Sequence, residues 1–203
     1  MLLSAKQGAV STPPRIYYVN PLLLQGIDAW REVFDHAADT GFDHVLTAPL
    51  FDRGGERSVF TSQDVDRLDP QLQLGSTVED GVARLAEAAG KSGVGLMMDL
   101  MLDGKRQDRQ AGFRPVDPRR SPLDPAEPMS MLEAERQSQL SAEWIERLQR
   151  LSDAGLAGYR VLGIDRATPA LFKSLFAGVR EKAEAQFFAW TPGTDFAVRS
   201  AIA

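Results

Sequence analysis

Acidic side chains are the main candidates for chemistry in this sequence, because the other common reactive groups are scarce. The 203 residues include no cysteine and two histidines, which excludes a thiolate nucleophile, a thiolate metal site and a disulfide framework. His36 falls within the first predicted helix and His44 begins the second predicted strand, so structural or surface roles are expected for both. The sequence contains no G-x-S-x-G or H-x-x-x-H spacing, and we predict neither a serine hydrolase nor a metal site.

Most acids occur in mixed-charge stretches, and one does not. Between residues 133 and 150 glutamates alternate with arginines, a pattern typical of a solvated helix face. Asp99 differs because it is the single acid in a nearly continuous apolar run, residues 94–102 (VGLMMDLML). Such a run is typical of a strand covered on both faces, so Asp99 is predicted to be a buried carboxylate whose hydrogen bonds are satisfied.

Composition places the chain among ordinary globular proteins. The residues are 43% hydrophobic and 25% charged, with a net charge of −5, close to globular averages. Lys and Arg are scattered without a basic stripe, so nucleic acid is not an expected partner. No apolar run approaches the roughly 20 residues that span a bilayer, and the N-terminus lacks a secretory apolar region. We therefore expect a cytoplasmic protein without a membrane partner.

Strands and helices are predicted to alternate along the chain. The predicted strands cover residues 15–19, 44–50, 94–102, 158–164 and 186–190. Helices with apolar residues at helical spacing lie between them, and Thr77, Ser141 and Thr168 are the predicted N-caps of the last three. Strict alternation with buried strands implies parallel pairing, in either a doubly wound sheet or a TIM-type barrel. No Gly-rich phosphate-binding motif follows the first strand, and no cofactor is expected.

Two stretches lack a predicted element. Residues 52–69 are polar without clear periodicity, as in a loop that carries function or moves. Residues 103–139 are rich in Pro, Arg, Asp and Gln, and we predict that they form a mobile loop. The whole chain, residues 1–203, is predicted to be one domain.

Three segments, in order, carry a family resemblance. Residues 41–51 (GFDHVLTAPLF) are similar to G-F-[ND]-x-[VI]-x-x-x-P-[IL]-[FH]. Residues 64–75 (DVDRLDPQLQLG), with the following helix and residues 95–102, resemble D-Y-x-x-[IV]-[DH]-P-x-L-G, a helix and a strand ending D-L-V-x-N-H. Residues 155–161 (GLAGYRV) resemble G-[FY]-R-[VLI]-D. Together they resemble the alpha-amylase superfamily, glycoside hydrolase family 13.

Within that superfamily, residues 15–22 (RIYYVNPL) and 41–49 look like the N-terminal amylase-like module of bacterial maltosyltransferases that use maltose 1-phosphate. The resemblance implies a partial TIM-type (β/α) barrel with five parallel strands, whereas a closed barrel has eight. Either a C-terminal continuation is absent, or another chain completes the barrel, or the strands form an open sheet. A five-stranded sheet that is not closed leaves edge strands with unpaired backbone groups.

The family's catalytic acids have no counterpart at the matching positions. Retaining glycosidases use a carboxylate nucleophile and a carboxylic acid, but the resemblance places Leu162 and Trp190 at those two positions. Asp103 stands where the family has Asn, before the lost His. Asp103 and Asp165 are the candidate catalytic acids that remain at strand ends.

The resemblance implies three substrate-binding residues. Arg160 matches the Arg beside the nucleophile, and Asp99 matches a buried Asp upstream. Phe60 falls at the position of a Tyr that stacks on sugar. The Phe60 ring is predicted either to stack on a sugar face or to cover the barrel mouth.

Three functions follow from these observations. The first is a non-catalytic module that binds alpha-glucan or a maltosyl ligand, or supports a maltosyltransferase-type enzyme. The second is an interaction protein whose open barrel edge is completed by a partner chain or by self-association. The third is an active glycoside hydrolase or glycosyltransferase that uses Asp103 or Asp165.

Overall fold

The computed structural model describes residues 13–55, 58–60, 62–102, 134–164, 168–191 and 194–202, with the backbone alone for residues 134–138. Asp103, Asp165 and nearly all of the predicted mobile loop 103–139 lie outside the described residues.

Seven strands and five α-helices are present in the described parts of the chain. The strands are β1 (Ile16–Val19), β2 (His44–Thr47), β3 (Phe51–Asp52), β4 (Asp64–Leu68), β5 (Gly95–Leu100), β6 (Gly158–Val161) and β7 (Gln186–Ala189). The α-helices are α1 (Gly26–Asp39), α2 (Val78–Lys91), α3 (Ala134–Asp153), α4 (Pro169–Arg180) and α5 (Phe196–Ile202). Two short 3₁₀ helices cover Pro21–Leu23 and Pro70–Leu72. Among the described helices, none is long and apolar enough to cross a bilayer.

Five strands form one parallel sheet in the order β1-β2-β5-β6-β7. The strands of this sheet follow one another in chain order, with β3 and β4 outside it, whereas a doubly wound sheet reverses its strand order at a switch point. The sheet alternates with helices as a barrel does. The prediction of a partial TIM-type barrel with five parallel strands is confirmed.

The second sheet was not predicted. Strands β3 and β4 pair in antiparallel fashion, within a stretch that the sequence indicated to be a loop over residues 52–69. A buried ion pair closes this hairpin, because Arg53 Nε lies 2.6 Å from Asp69 Oδ2 and both side chains are 5% exposed. The buried residues Val65 and Leu68 are three positions apart, so β4 lacks the period-two alternation that identifies a half-buried strand.

Two predicted helix caps are confirmed and one is wrong. Thr77 Oγ1 accepts a hydrogen bond from the Asp80 amide at 3.2 Å, and Thr168 Oγ1 accepts one from the Leu171 amide at 3.3 Å. Ser141 is not an N-cap, because α3 already begins at Ala134. Ser141 is buried inside that helix, with its hydroxyl 3.5 Å from that of Ser174 on α4.

The main core lies between the parallel sheet and its helices. Tyr159 of β6 stacks on Phe187 of β7 at 5.4 Å between ring centroids, and Phe176 of α4 packs on Phe187 at 4.5 Å. The buried Tyr159 hydroxyl donates to the Leu148 carbonyl of α3 at 2.7 Å. Because strand side chains alternate between faces, residues one position along from this core point to the other face of the sheet. That face carries the candidate site.

Candidate functional site

The candidate site lies where the parallel strands end. The residues that directly follow β2, β5, β6 and β7 are Ala48, Met101, Leu162 and Trp190. In (β/α) barrels the active site is built at these C-terminal strand ends. Here all four positions are apolar or aromatic.

These residues form a second apolar cluster, separate from the main core. Ala48, Val59, Phe60, Met101 and Leu162 are buried in it, and Leu22 and Trp190 pack against it. Val59 and Phe60 come from the loop between β3 and β4, so the hairpin covers the ends of the parallel strands. We call this group the mouth cluster. The described members of this cluster include no group that can attack or protonate a glycosidic bond.

Directly beneath the mouth cluster, Asp99 and Arg160 form an ion pair. The two residues are direct partners in the register of β5 and β6. Arg160 donates from Nε to Asp99 Oδ1 at 2.6 Å and from Nη2 to Asp99 Oδ2 at 2.9 Å. Asp99 is 0% exposed and the Arg160 side chain 14%. A bidentate pair of this kind is strong and fixes the plane of the guanidinium.

Two aromatic rings contact the same guanidinium. The Arg160 Cζ atom lies 4.9 Å from the Tyr18 ring centroid and 5.1 Å from the Trp190 ring centroid. Both distances fall within the range of cation–π contacts. The charge of Arg160 is thus matched by the Asp99 carboxylate in its own plane and by two aromatic rings.

The structure brings three predicted site residues to one end of the sheet. Asp99 and Arg160 contact each other, and Phe60 lies in the mouth cluster with 2% of its surface exposed. A ring that buried can contact a sugar only after the cluster opens, so sugar stacking by Phe60 stays a prediction. The catalytic candidates Asp103 and Asp165 lie outside the described residues and are likewise predictions.

Sequence reasoning missed Tyr18 and misjudged what surrounds Trp190. Tyr18 was assigned only to the first strand, although alternation along β1 puts it on the face opposite the core residues Tyr17 and Val19. Trp190 was identified as a replacement for an acid. Its contact with Arg160 follows from the pairing of β6 with β7, because Arg160 lies opposite Phe188 and Trp190 is two residues further along on the same face.

The opposite end of the sheet carries an unrelated polar group. Asp43 accepts hydrogen bonds from the Arg15 amide at 2.9 Å and from His44 Nδ1 at 2.6 Å. Partial burial raises the pKa of Asp43, but the hydrogen bonds and charges of His44 and Arg15 outweigh it, so the pKa lies below its ordinary value. The group ties β1 to β2 and lies far from the mouth. Within the described residues, no three His, Asp or Glu side chains are grouped to hold a metal ion.

Comparisons with solved structures define the class of fold. An alpha-amylase from Geobacillus thermoleovorans is 14% identical with a TM-score of 0.64, over 88% of this chain and 47% of that one. An isomaltulose synthase from Klebsiella sp. LX3 is 12% identical with a TM-score of 0.64, over 97% of this chain and 48% of that one. The fold is therefore the amylase-type (β/α) barrel, and this chain spans about half the length of these structures.

One curated protein makes the likeness more specific. The chain is similar to the alpha-1,4-glucan:maltose-1-phosphate maltosyltransferase of Burkholderia pseudomallei, at 26% identity over 203 residues. The match covers 91% of this chain and 18% of that relative. No protein-family model matches the chain. The resemblance to the alpha-amylase superfamily, and to the maltosyltransferases within it, is confirmed by these likenesses.

Proposed function

We propose that this chain is a non-catalytic amylase-type module of alpha-glucan metabolism, located in the cytoplasm. Its role is to bind alpha-glucan or a maltosyl ligand, or to support an associated maltosyltransferase-type enzyme. The similarity to the Burkholderia maltosyltransferase supports the metabolic assignment. The composition of the mouth cluster supports the absence of catalysis.

The observation that carries the proposal is the environment of Leu162. This residue occupies the position that the resemblance gives to the nucleophile, and it is 2% exposed among Ala48, Phe60 and Met101. An aliphatic side chain cannot attack an anomeric carbon. A carboxylate introduced into the same apolar cluster without a partner is costly, so the surroundings as well as the residue are unsuited to a two-carboxylate mechanism.

Trp190 supports the same conclusion at the acid/base position. Its ring contacts the Arg160 guanidinium and packs against the mouth cluster. An indole carries one N–H donor and cannot exchange a proton with a leaving group as a carboxylic acid does. Both catalytic positions are therefore filled by side chains that pack.

Binding is proposed to use Arg160. A guanidinium has five N–H donors, and Asp99 accepts from two of them. The remaining donors suit the hydroxyl groups of a sugar, and the aromatic rings of Tyr18 and Trp190 offer apolar faces beside them. Because the ion pair is electrically balanced, a neutral glucan suits this group better than a strongly charged ligand.

Calorimetric melting with ligands tests the binding proposal. The chain is melted alone and with maltose, maltoheptaose or maltose 1-phosphate, with cellobiose as a β-linked control. A ligand at 100 times its Kd stabilises the native state by about 2.7 kcal/mol, which raises the Tm by roughly 5 to 11 °C for a domain of this size. A rise with an α-linked sugar and none with cellobiose is expected. Equal melting in all samples rules out glucan binding by this chain.

A second candidate function is the interaction protein whose barrel is completed by a partner. The specific observation in its favour is that β1 and β7 are the outer strands of the five-stranded sheet in the described part of the chain. An edge strand with unpaired backbone groups is a template for pairing with another chain. Analytical ultracentrifugation of the purified chain addresses self-association directly.

A further inference from the structure

Phe60 and Trp190 are aromatic residues of the mouth cluster that differ in exposure. Phe60 is 2% exposed, in a cluster with the buried residues Ala48, Met101 and Leu162. Trp190 packs against the same cluster from its rim and is partly exposed. An aromatic ring needs an accessible face to stack on a sugar. Trp190 meets this requirement in the structure, and Phe60 does not.

The backbone fixes the place of Trp190 beside Arg160. The Trp190 amide donates to the Val161 carbonyl of β6 at 2.9 Å, which extends the pairing of β6 with β7 by one residue. Arg160 lies opposite Phe188, and Trp190 is two residues further along on the same face of the sheet. The indole is therefore held in position before a ligand arrives, and such preorganisation lowers the entropy cost of binding.

The Arg160 guanidinium supplies hydrogen-bond donors next to this indole. Its Cζ atom lies 5.1 Å from the Trp190 ring centroid, and its side chain is 14% exposed. Nε and Nη2 of Arg160 donate to Asp99, so Nη1 is the nitrogen that does not donate to that carboxylate. A pyranose ring has C–H groups on its faces and hydroxyl groups around its rim. An aromatic face beside N–H donors matches both parts of such a ligand.

We propose that Trp190, and not Phe60, is the aromatic residue that stacks on a glucose ring of an alpha-glucan, while Nη1 of Arg160 donates to a hydroxyl group of the same ring. The inference rests on the proposed binding function and assigns to that site the residue that determines its affinity for sugar. Phe60 then serves as the cover of the strand ends. The position that the resemblance gives to the acid/base residue carries a binding group in place of a proton donor.

Tryptophan fluorescence of the purified chain tests this contact directly. The sequence contains three tryptophans, and Trp30 and Trp144 are 0% and 1% exposed, so acrylamide is expected to quench mainly Trp190. Because a stacked sugar covers one of the two ring faces, saturating maltoheptaose is expected to reduce that quenching about twofold. Trp190→Phe supplies the reference signal of the two buried tryptophans, which the sugar is expected to leave unchanged.

The affinity for maltoheptaose, measured by isothermal titration calorimetry, separates the two rings. Trp190→Leu keeps an apolar side chain against the mouth cluster but removes the aromatic face, and it is expected to weaken binding about tenfold. Trp190→Phe keeps a ring and is expected to retain most of the affinity. Phe60→Leu is the matched control, because it removes a ring from the buried part of the same cluster, and its Kd is expected to equal that of the parent chain. Urea denaturation checks that each variant is folded.

Failure of this inference is distinguishable from failure of the binding function. If the parent chain binds maltoheptaose and Trp190→Leu binds it equally well, the inference is wrong and the binding function stands. Unchanged acrylamide quenching of the parent chain at saturating sugar has the same meaning and does not depend on the folding of a variant. Loss of binding in Phe60→Leu alone would identify Phe60 as the stacking residue. If the parent chain binds no maltoheptaose, the binding function and the inference both fail.

Discussion

Arg160 binds Asp99 through two parallel hydrogen bonds of 2.6 and 2.9 Å, and the carboxylate it holds is completely buried. The pair joins β5 to β6 directly under the mouth cluster. Removing one partner leaves a buried charge unpaired, which typically costs about 3 to 5 kcal/mol. Asp99→Ala and Arg160→Met are therefore each expected to lower the free energy of unfolding by about that amount, measured by urea denaturation.

The matched control for this pair is an ion pair on the surface. Arg31 and Asp28 lie 2.7 Å apart with side chains 54% and 87% exposed, and such pairs contribute about 0.3 to 0.5 kcal/mol. Arg31→Met is expected to change stability by no more than that. If Asp99→Ala were equally mild, the buried pair would not be the structural link between β5 and β6 that its geometry indicates.

Phe60→Ala separates the two roles predicted for this ring. If the ring covers the strand ends, its removal leaves a cavity in the mouth cluster and costs about 3 to 5 kcal/mol. If the ring instead stacks on a sugar, stability changes little and binding of maltoheptaose is lost. Its burial, at 2% exposure, leads us to expect the larger loss of stability, measured by denaturation with and without the sugar.

Leu162→Asp tests whether the position that the resemblance gives to the nucleophile accepts a carboxylate. Burial raises the pKa of an Asp in an apolar site above its value in the unfolded chain, so the variant binds more protons when folded and becomes less stable as pH rises. We expect a larger loss of stability at pH 7 than at pH 5 in urea denaturation. An equal loss at both pH values would indicate that the mouth cluster opens to water. Leu162→Asn is the uncharged control.

The contribution of Asp43 to the stability of the chain is expected to change with pH in the opposite direction. Its pKa is lower in the folded protein than the ordinary value of 3.8, so its contribution to stability is present above that value and disappears as pH falls through the folded pKa. Asp43→Asn is expected to destabilise the chain near neutral pH and to match the parent chain in strong acid. A constant difference between the two proteins across this range would contradict the prediction. The effect is small because the side chain is 40% exposed.

The variant Tyr159→Phe tests the contact between the parallel sheet and α3. Burial raises the pKa of its hydroxyl well above the ordinary value, and the hydroxyl donates to Leu148 O. Tyr159→Phe removes this hydrogen bond, which is expected to cost about 0.5 to 1.5 kcal/mol. Tyr17→Phe, on the same face of the sheet but less buried, is the control and is expected to cost less in the same urea titration.

The parallel strands could be predicted because their apolar runs are long, but their ends could not. Predicted strands 44–50, 94–102 and 158–164 overran the observed ends at Thr47, Leu100 and Val161. The overrun has a physical cause. The chain stays apolar past the last ladder residue because Ala48, Met101 and Leu162 fill the mouth cluster, and hydropathy does not distinguish a buried strand from a buried loop.

The candidate site could be predicted from the sequence only in part. Asp99 and Arg160 were identified from their motifs, and their pairing follows once β5 and β6 are adjacent in register. The contact between Tyr18 and Arg160 could not be predicted, because it joins β1 to β6 across the two strands between them. Contacts between distant strands depend on curvature, and a one-dimensional pattern carries no measure of it.

Turnover is the most direct test of the claim that the catalytic positions are lost. The purified chain is incubated with maltoheptaose, and with maltose 1-phosphate plus an α-1,4-glucan acceptor, beside the variants Asp103→Asn and Asp165→Asn. We expect no product above the buffer control from any of the three proteins. Product formed by the parent chain and abolished by either Asn variant would contradict the account and identify an active enzyme with displaced catalytic acids.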